Sequence, residues 1–405
     1  MALDKNLIEE MAVAGRKIYL AEKDDPKLGP LRWLPGTWKN TSELEGHGFN
    51  MISLPFSESE QGFRLLMNQY DEVLNFIVAD VGVPNRGTYT NPADGKTKQT
   101  DQTAVALSYS QIITQRSYED SYLVSARGLP DSTLGKTDIS EKFNGHGIHH
   151  EPGLWIFMTD QNISHENGDE LSVARMGSIP HGNSFIAVGS ASTKDWEKDS
   201  EKLTDRQKKE GLSPRINGVV VGGGSNPDER ALDPIINPAT GLIVIDYFAP
   251  YRFFHENPFK GNPKINGFSG FEPVNTTLLL RHTFKNFLKG IGAIKQVTTL
   301  QVDSTIDHSG INRVINPSIG NTPFITRQAD TTAMNCTFDI YEIEDAKTGA
   351  LRYFLQYAQN VILDFINRPD GHPGRARWPH VSINTLERVE SAARTEAIME
   401  SLPSR

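Results

Sequence analysis

Apolar and polar residues alternate with a period of two through most of the chain after Leu28, in short segments separated by Gly, Pro, Asn and Asp. Such alternation puts every second side chain on one face, which is typical of a β-strand with one buried face. Examples are Phe63–Tyr70, Val73–Val78, Ala104–Ile113 and Leu154–Met158. Strands bounded by turn residues in this way predict a mainly β, antiparallel protein.

The clearest hairpin lies late in the chain. Thr337–Glu344 and Leu351–Phe365 are rich in aromatic and β-branched residues, and the turn-forming segment Asp345–Gly349 separates them. The second arm is long for a strand, as suits the wall of a barrel. Together with Trp378–Leu386, this hairpin offers too few strands for a barrel of its own. We therefore expect the C-terminal strands to pair beside the early ones.

These patterns predict a single enlarged barrel domain over residues 28–405, preceded by a helical segment over residues 1–27. The helix prediction comes from apolar residues at mixed spacings of three and four within residues 4–22. Residues 193–232 differ from their surroundings because they are rich in Lys, Asp and Glu and end in a glycine-rich stretch. We interpret them as a charged surface insertion.

Charge and cysteine content narrow the function classes. The chain has 405 residues, with 50 acidic against 41 basic side chains and a formal net charge of −9, so no general attraction to nucleic acid or anionic lipid is expected. A single cysteine, Cys336, excludes an intramolecular disulfide and any zinc or iron–sulfur site built from several cysteines. Its strand-like surroundings indicate a buried thiol and not a nucleophile.

The ends and hydropathy of the chain favour a cytoplasmic protein. The N-terminal residues include acids where a signal peptide would have a basic start and an apolar run. No stretch approaches the roughly 20 apolar residues that a membrane helix needs. We expect neither a membrane nor a nucleic acid as partner.

Histidines are the most informative polar residues. Gly145–Gly153 contains His146, His149, His150 and Glu151 directly before an apolar strand. A metal site and loop histidines bonded to the backbone are both compatible with this cluster. If the segment is extended, the adjacent His149 and His150 point to opposite faces and only one can look inward.

Two further histidines stand at the beginning of strand patterns. His181 follows a proline and precedes a glycine, at the mouth of an apolar strand from which a side chain could reach a cavity. His380 also follows a proline and shares one strand face with Ser382 and Asn384. A structural role and a ligand-binding role are open for both.

Other catalytic patterns are missing from the sequence. It contains no Gly-x-Ser-x-Gly elbow, no His-Glu-x-x-His, no Walker loop and no Rossmann fingerprint. The triple glycine Gly222–Gly224 is not followed by Lys-Ser/Thr, so it does not predict a phosphate loop. Catalysis by side chains alone would have to be unusual.

Three segments resemble a known family. Leu28–Trp38, followed by Gly46–Asn50, is similar to the opening strand of calycin barrels, and Gly147–Trp155 and Pro379–Val381 are similar to motifs of the nitrobindin-like haem-binding β-barrels. The resemblance implies an antiparallel calycin-like β-barrel, enlarged by long loops and extra strands, with a short N-terminal helix. Much of residues 185–335 has no counterpart in that shorter family barrel.

The resemblance also implies a cofactor, haem b, and residues that hold it. In that family a histidine after a proline on the last strand holds the iron, and His380 matches it. Further candidate cofactor contacts are Trp38 and Trp155, with Arg86 and Arg175 for the propionates. His149, His150 and His181 are the candidate distal acid–base residues.

We therefore expect a haem protein acting on nitrogen oxides or on peroxide, which as an enzyme would be a haem-dependent oxidoreductase or a peroxynitrite isomerase. The alternative is a calycin-type carrier of a fatty acid or other apolar molecule, without haem or catalysis. A third hypothesis is a cofactor-free enzyme that uses His149, His150 and Glu151. The expected partner is a small molecule in the barrel cavity, and a homodimer is also compatible with the sequence.

Overall fold

The structure is a computed structural model that describes residues 26–55, 62–90, 94–120, 145–158, 163–164, 170–214, 221, 235–236, 238–245, 248–262, 264–265, 270–306, 319–323, 329–367 and 373–389. The helix predicted within residues 4–22 lies outside the described residues. So does the triple glycine of the charged insertion.

Strands make up most of the described chain. They are β1 (Gly36–Lys39), β2 (Gly48–Pro55), β3 (Phe63–Thr90), β4 (Thr97–Asp120), β5 (Gly147–Met158), β6 (Ile163–Ser164), β7 (Glu170–Leu171), β8 (Val173–Ile179), β9 (Asn183–Asp195), β10 (Ile235–Ile236), β11 (Ile243–Ile245), β12 (Gly292–Asp303), β13 (Ile319–Asn321), β14 (Asp330–Asp345), β15 (Leu351–Asn367) and β16 (Arg375–Val389). The helices are α1 (Asp205–Glu210), α2 (Ala249–Glu256), α3 (Leu278–Thr283) and α4 (Lys289–Ile291). A π-helical turn, Phe284–Leu288, joins α3 to α4, and 3-10 turns lie at Pro26–Leu31 and Ser200–Lys202.

The strands close into an antiparallel barrel with ten strand positions. Nine positions are occupied, in order around the barrel, by β3, β4, β5, β8, β9, β12, β14, β15 and β16, and β1 and β2 share the tenth between β16 and β3. Closure is direct, because Trp38 of β1 pairs with Arg388 of β16 and Val381 of β16 pairs with Met51 of β2. The predicted mainly β, antiparallel barrel is confirmed, with the last strand beside the first two.

One end of the barrel, which we call the capped end, is closed by an apolar core. The β14–β15 turn and the 3-10 turn at Pro26–Leu31 lie there, and Gly29 of that turn lies against the ring of Phe157 near the end of β5. Large side chains fill the lumen behind it, among them Leu28, Leu31, Trp38, Trp155, Phe338, Leu355 and Leu386. The predicted buried thiol of Cys336 is confirmed and belongs to the same core.

The opposite end, which we call the histidine end, contains the β8–β9 turn and the beginnings of β5 and β16. The chain enters β5, which carries His149, and β16, which carries His380, from this end, and the β8–β9 turn contains His181. Three of the predicted site residues are therefore placed at the same end by the antiparallel order of the strands.

Part of the long middle region covers the outside of the barrel. One buried cluster contains Phe254 of α2, Leu280 of α3 and the intervening Phe271, together with Met67 of β3 and Ile383 of β16. The strands beneath are thus apolar on both faces, which is why the alternation is weak in β2 and β16.

The described part of the charged insertion follows the end of β9. Thr204 caps the N-terminus of α1 by accepting a hydrogen bond from the Gln207 amide, and the Gln207 side chain accepts from the Thr204 amide in return. The Leu212 amide donates to the Tyr341 hydroxyl at 2.9 Å, which ties the segment to the outer face of β14. Lysines such as Lys198 stay exposed. Among the residues that the structure describes, no helix has the length and apolar character needed to cross a bilayer.

Candidate functional site

Between the apolar core and the histidine end, the barrel lumen contains buried polar side chains. Arg175 of β8 is 1% exposed, and its Nη2 donates to Glu151 of β5 at 2.8 Å. Its Nη1 donates to Gln359 of β15 at 2.7 Å and contacts the sulfur of Cys336 on β14 at 3.3 Å. β5 is the neighbour of β8 in the sheet, whereas β14 and β15 are not, so the contacts of Arg175 with Cys336 and Gln359 cross the interior.

Tyr109 completes this first group. Its hydroxyl donates to Oε1 of Glu151 and accepts from Nε of Arg175 at 3.1 Å. Two facing glycines make room for the ring, since a Cβ on Gly153 or on Gly177 would lie 2.5 Å or 2.7 Å from an atom of Tyr109. An alanine at either position would therefore displace the side chain of Tyr109.

The buried carboxylate of Glu151 is held in its ionised form. Burial alone would raise its pKa, but the charge of Arg175, the nearby imidazole of His149 and the hydrogen bond from Tyr109 outweigh burial and lower the pKa from 4.5 to about 2. Glu151 and Arg175 therefore form a buried ion pair in which Oε1 of Glu151 accepts hydrogen bonds from Arg175 and Tyr109.

A second group surrounds Glu72 of β3. Its carboxylate accepts from the Tyr357 hydroxyl at 2.6 Å, from the Asn384 amide at 3.0 Å and from the Gln111 amide at 2.7 Å. Tyr70 lies behind, with its hydroxyl 2.9 Å from that of Tyr357. Burial raises the pKa of Glu72, and these hydrogen bonds offset only part of that effect. The lumen therefore has two carboxyl groups whose pKa values move in opposite directions.

His149 lies next to both groups at the histidine end. Its Nε2 is 3.5 Å from Oε2 of Glu151, and its ring stacks on His181 with centroids 5.9 Å apart. The His181 imidazole is hydrogen-bonded to the backbone of Ile148, while burial and the neighbouring His149 lower its pKa. Glu151 and the stacking contact thus orient His149, and the turn before β9 orients His181.

His380 has a buried ring nitrogen that lacks a partner. It lies on the same inward face of β16 as Ser382 and Asn384. Among the described residues, nothing hydrogen-bonds to its buried Nε2. Burial, reinforced by His149 and His181, lowers the pKa of His380 to about 3, so the imidazole is neutral at physiological pH. A neutral imidazole with a free nitrogen is the form that binds a metal.

The other predicted site residues do not join these three histidines. His150 is exposed on the outer face of β5, where it pairs with Ile112. Trp155 belongs to the core of the capped end, about 20 Å from His149 at the usual rise of a strand. Trp38 is in the same core. Arg86 occupies a position opposite Asp101 in the part of the β3–β4 hairpin that extends past β5.

Arg175, predicted as a propionate partner, lies in the floor of the lumen and pairs with Glu151. The site also contains four residues that were not predicted from the sequence, Glu72, Tyr70, Tyr109 and Tyr357. The available signal was alternation, because Tyr70 and Glu72 continue the inward face of Leu74. An acid on the buried face of a strand is unusual unless it has partners.

No group of three or more His, Cys, Asp or Glu suited to hold a metal ion occurs in the described part of the chain. Comparisons of the chain with protein-family models, with curated proteins and with solved structures give no match. The site must therefore be interpreted from its own geometry.

Proposed function

We propose that this barrel binds haem b at its histidine end, where Nε2 of His380 would hold the iron, and that it acts on nitrogen oxides or peroxide there. The observation that carries the proposal is the neutral, buried and unpartnered Nε2 of His380. A buried polar atom without a partner costs about 1–3 kcal/mol. Coordination would remove that cost, so the residues present fit the group that the resemblance to nitrobindin-like barrels implies.

The position of His380 supports a fixed ligand. Its backbone pairs with Val361 of β15, and the next residue, Val381, pairs with β2 on the other side. A side chain on a strand held from both sides loses little further freedom on binding. The proposal therefore expects little rearrangement of β16 when haem binds.

Haem, when bound, would supply an iron centre able to bind nitric oxide or react with peroxide. The contribution of the chain is to hold and move protons beside that centre. Nε2 of His149 faces Glu151, whose carboxylate Arg175 keeps ionised, and His181 stacks on the other imidazole. His149 and His181 are the candidate acid–base groups, and Glu151 positions His149.

The polar floor favours haem over the fatty-acid carrier. An apolar chain reaching into the lumen would meet Glu72, Glu151 and Arg175, which are all buried. Removing such groups from their remaining polar surroundings costs several kcal/mol. Haem, with charged propionates and an iron that binds imidazole, is compatible with polar partners at the histidine end.

The test is a haem titration of the full chain followed by its absorption spectrum. We expect a Soret band at one haem per chain, and His380→Ala should shift or weaken that band and lower the affinity at least 10-fold, with partial rescue by added imidazole. His150→Ala is the matched control, since His150 is exposed on the outer face. Equal spectra and affinities for His380→Ala and the unmodified protein would refute the proposal.

Reaction with peroxide or peroxynitrite tests the acid–base assignment separately. His149→Ala should keep the Soret band while lowering the rate about 10²–10⁴-fold, the usual contribution of a general acid–base. Binding of a fluorescent fatty acid with no haem binding would support the carrier instead. Turnover without iron that is lost in His149→Ala would support the cofactor-free enzyme.

A further inference from the structure

The outer face of the five strands β3, β4, β5, β8 and β9 forms a continuous surface without a charge. We call it the sheet-face patch and define it as the outward residues of 73–77, 106–112, 150–156, 174–178 and 184–188. The inward residues of the same segments are the buried ones, for example Phe76, Leu107 and Trp155. The outward set is thus fixed by the register of the sheet.

The register aligns one row across the five strands, with large apolar side chains on four of them and Ser108 on β4. Ile77 pairs with Ser108, Ser108 with Leu154, Leu154 with Met176, and Met176 with Ile186. Val73 and Ile112 form another pair in a parallel row. Isoleucines here are far more exposed than core residues: Ile77 is 64% exposed, Ile112 47% and Ile186 43%. Exposed apolar residues that adjoin one another mark an interaction surface.

The charge distribution limits what can bind there. None of the outward residues that define the patch is Lys, Arg, Asp or Glu, although 22% of the chain is charged. The ion pair between Asp71 and Arg116 lies at one edge, as a polar rim does at a protein interface. An uncharged face offers nothing to attract an acidic or basic partner, whereas it is complementary to a copy of itself.

We propose that the sheet-face patch is the interface of a symmetric dimer of this chain. In a two-fold arrangement the row from Ile77 to Ile186 would pack against the same row of the second copy. Five strands with three or four outward residues each cover about 24 Å by 24 Å, or roughly 600 Å² per partner in projection, which is about 1,200 Å² in total and the lower limit of a standard interface. The patch is therefore large enough for a stable dimer.

The test is the mass of the full chain in solution, measured by light scattering over a range of concentrations. We expect twice the chain mass of 45.0 kDa. Ile77→Lys and Ile186→Lys each put a lysine on both sides of the two-fold interface, so each should weaken dimerisation about 100-fold. Leu351→Lys is the matched control, because Leu351 is 50% exposed at the β14–β15 turn, away from the patch.

Circular dichroism shows that each variant is folded, and two variants on different strands guard against one that is not. A monomeric unmodified protein would overturn the proposal. So would a dimer that survives both patch substitutions or one that only Leu351→Lys disrupts. If the protein is monomeric but hydrogen exchange at β3 and β4 shows protection of the patch, another segment of the same chain occupies it. None of these results depends on haem, so the two proposals fail independently.

Discussion

Removal of the guanidinium from the lumen should destabilise the protein strongly and reverse its pH dependence. In Arg175→Met the side-chain volume is nearly kept, while the carboxylate of Glu151, which is 0% exposed, loses its counter-ion. Breaking a buried ion pair from one side costs about 3–5 kcal/mol. The net shift of the Glu151 pKa from 4.5 to about 2 corresponds to about 3 kcal/mol, and because it already includes the opposing effect of burial, the partners of Glu151 together contribute more than that.

The sign of the pH effect follows from linkage. In the unmodified protein the folded pKa of Glu151 is below the unfolded one, so its stabilisation is present above pH 4.5 and is lost as the pH falls toward 2. Without Arg175, burial becomes the leading effect and raises the folded pKa of Glu151 above the unfolded value. The variant should then lose stability as the pH rises above about 4.5.

Urea unfolding followed by tryptophan fluorescence measures this directly, since Trp38 and Trp155 are buried. The double variant Arg175→Met/Glu151→Gln removes both charges, and we expect it to recover at least about half of the loss at pH 7. The reasoning fails if Arg175→Met loses less than about 1 kcal/mol at pH 7. It also fails if the loss is the same at pH 5 and pH 8.

Two further predictions concern buried groups outside the lumen. Burial raises the pKa of Asp339 from 3.8 to about 7, although a hydrogen bond from Thr299 opposes this shift. Asp339→Asn should therefore stabilise the protein by about 2–4 kcal/mol at pH 8 and hardly at pH 4. A gain in stability that does not depend on pH would contradict this prediction. Burial lowers the pKa of His47 from 6.5 to about 4. The free energy of unfolding should therefore fall by about 3 kcal/mol more in the unmodified protein than in His47→Gln when the pH is lowered from 7 to 4. Equal acid sensitivity of the two proteins would contradict this prediction.

Local strand patterns could be predicted from the sequence where one face is buried and the other exposed. The late hairpin was predicted as 337–344 and 351–365, and the structure has Asp330–Asp345 and Leu351–Asn367. By contrast, Phe63–Tyr70 and Val73–Val78 were separate in the sequence analysis but belong to one strand, β3. Glu72 hid the continuity, because its buried carboxyl is tolerated only through partners on β4, β15 and β16.

The candidate site could be predicted only in part from the sequence. The strand positions of His149, His181 and His380 could be identified in the sequence, and the antiparallel order places them at one end of the barrel. The contacts of Arg175 with Cys336 and Gln359 could not, since they depend on which strands face each other across the lumen. Single-sequence alternation gives the face of a residue but not its partner on the opposite wall.

The pKa values of the two buried carboxyl groups in the lumen are shifted in opposite directions. Glu151 is fixed as a carboxylate by Arg175, whereas Glu72 is held mainly by neutral donors and has a raised pKa. His149 interacts electrostatically with both of them. Groups whose environments push their pKa values apart are the usual basis for separate acid and base roles in one site. Glu151 is therefore suited to orient His149, and Glu72 to accept a proton from the same side of the lumen. The capped end is filled by apolar side chains, so all of these titratable groups lie between that core and the histidine end.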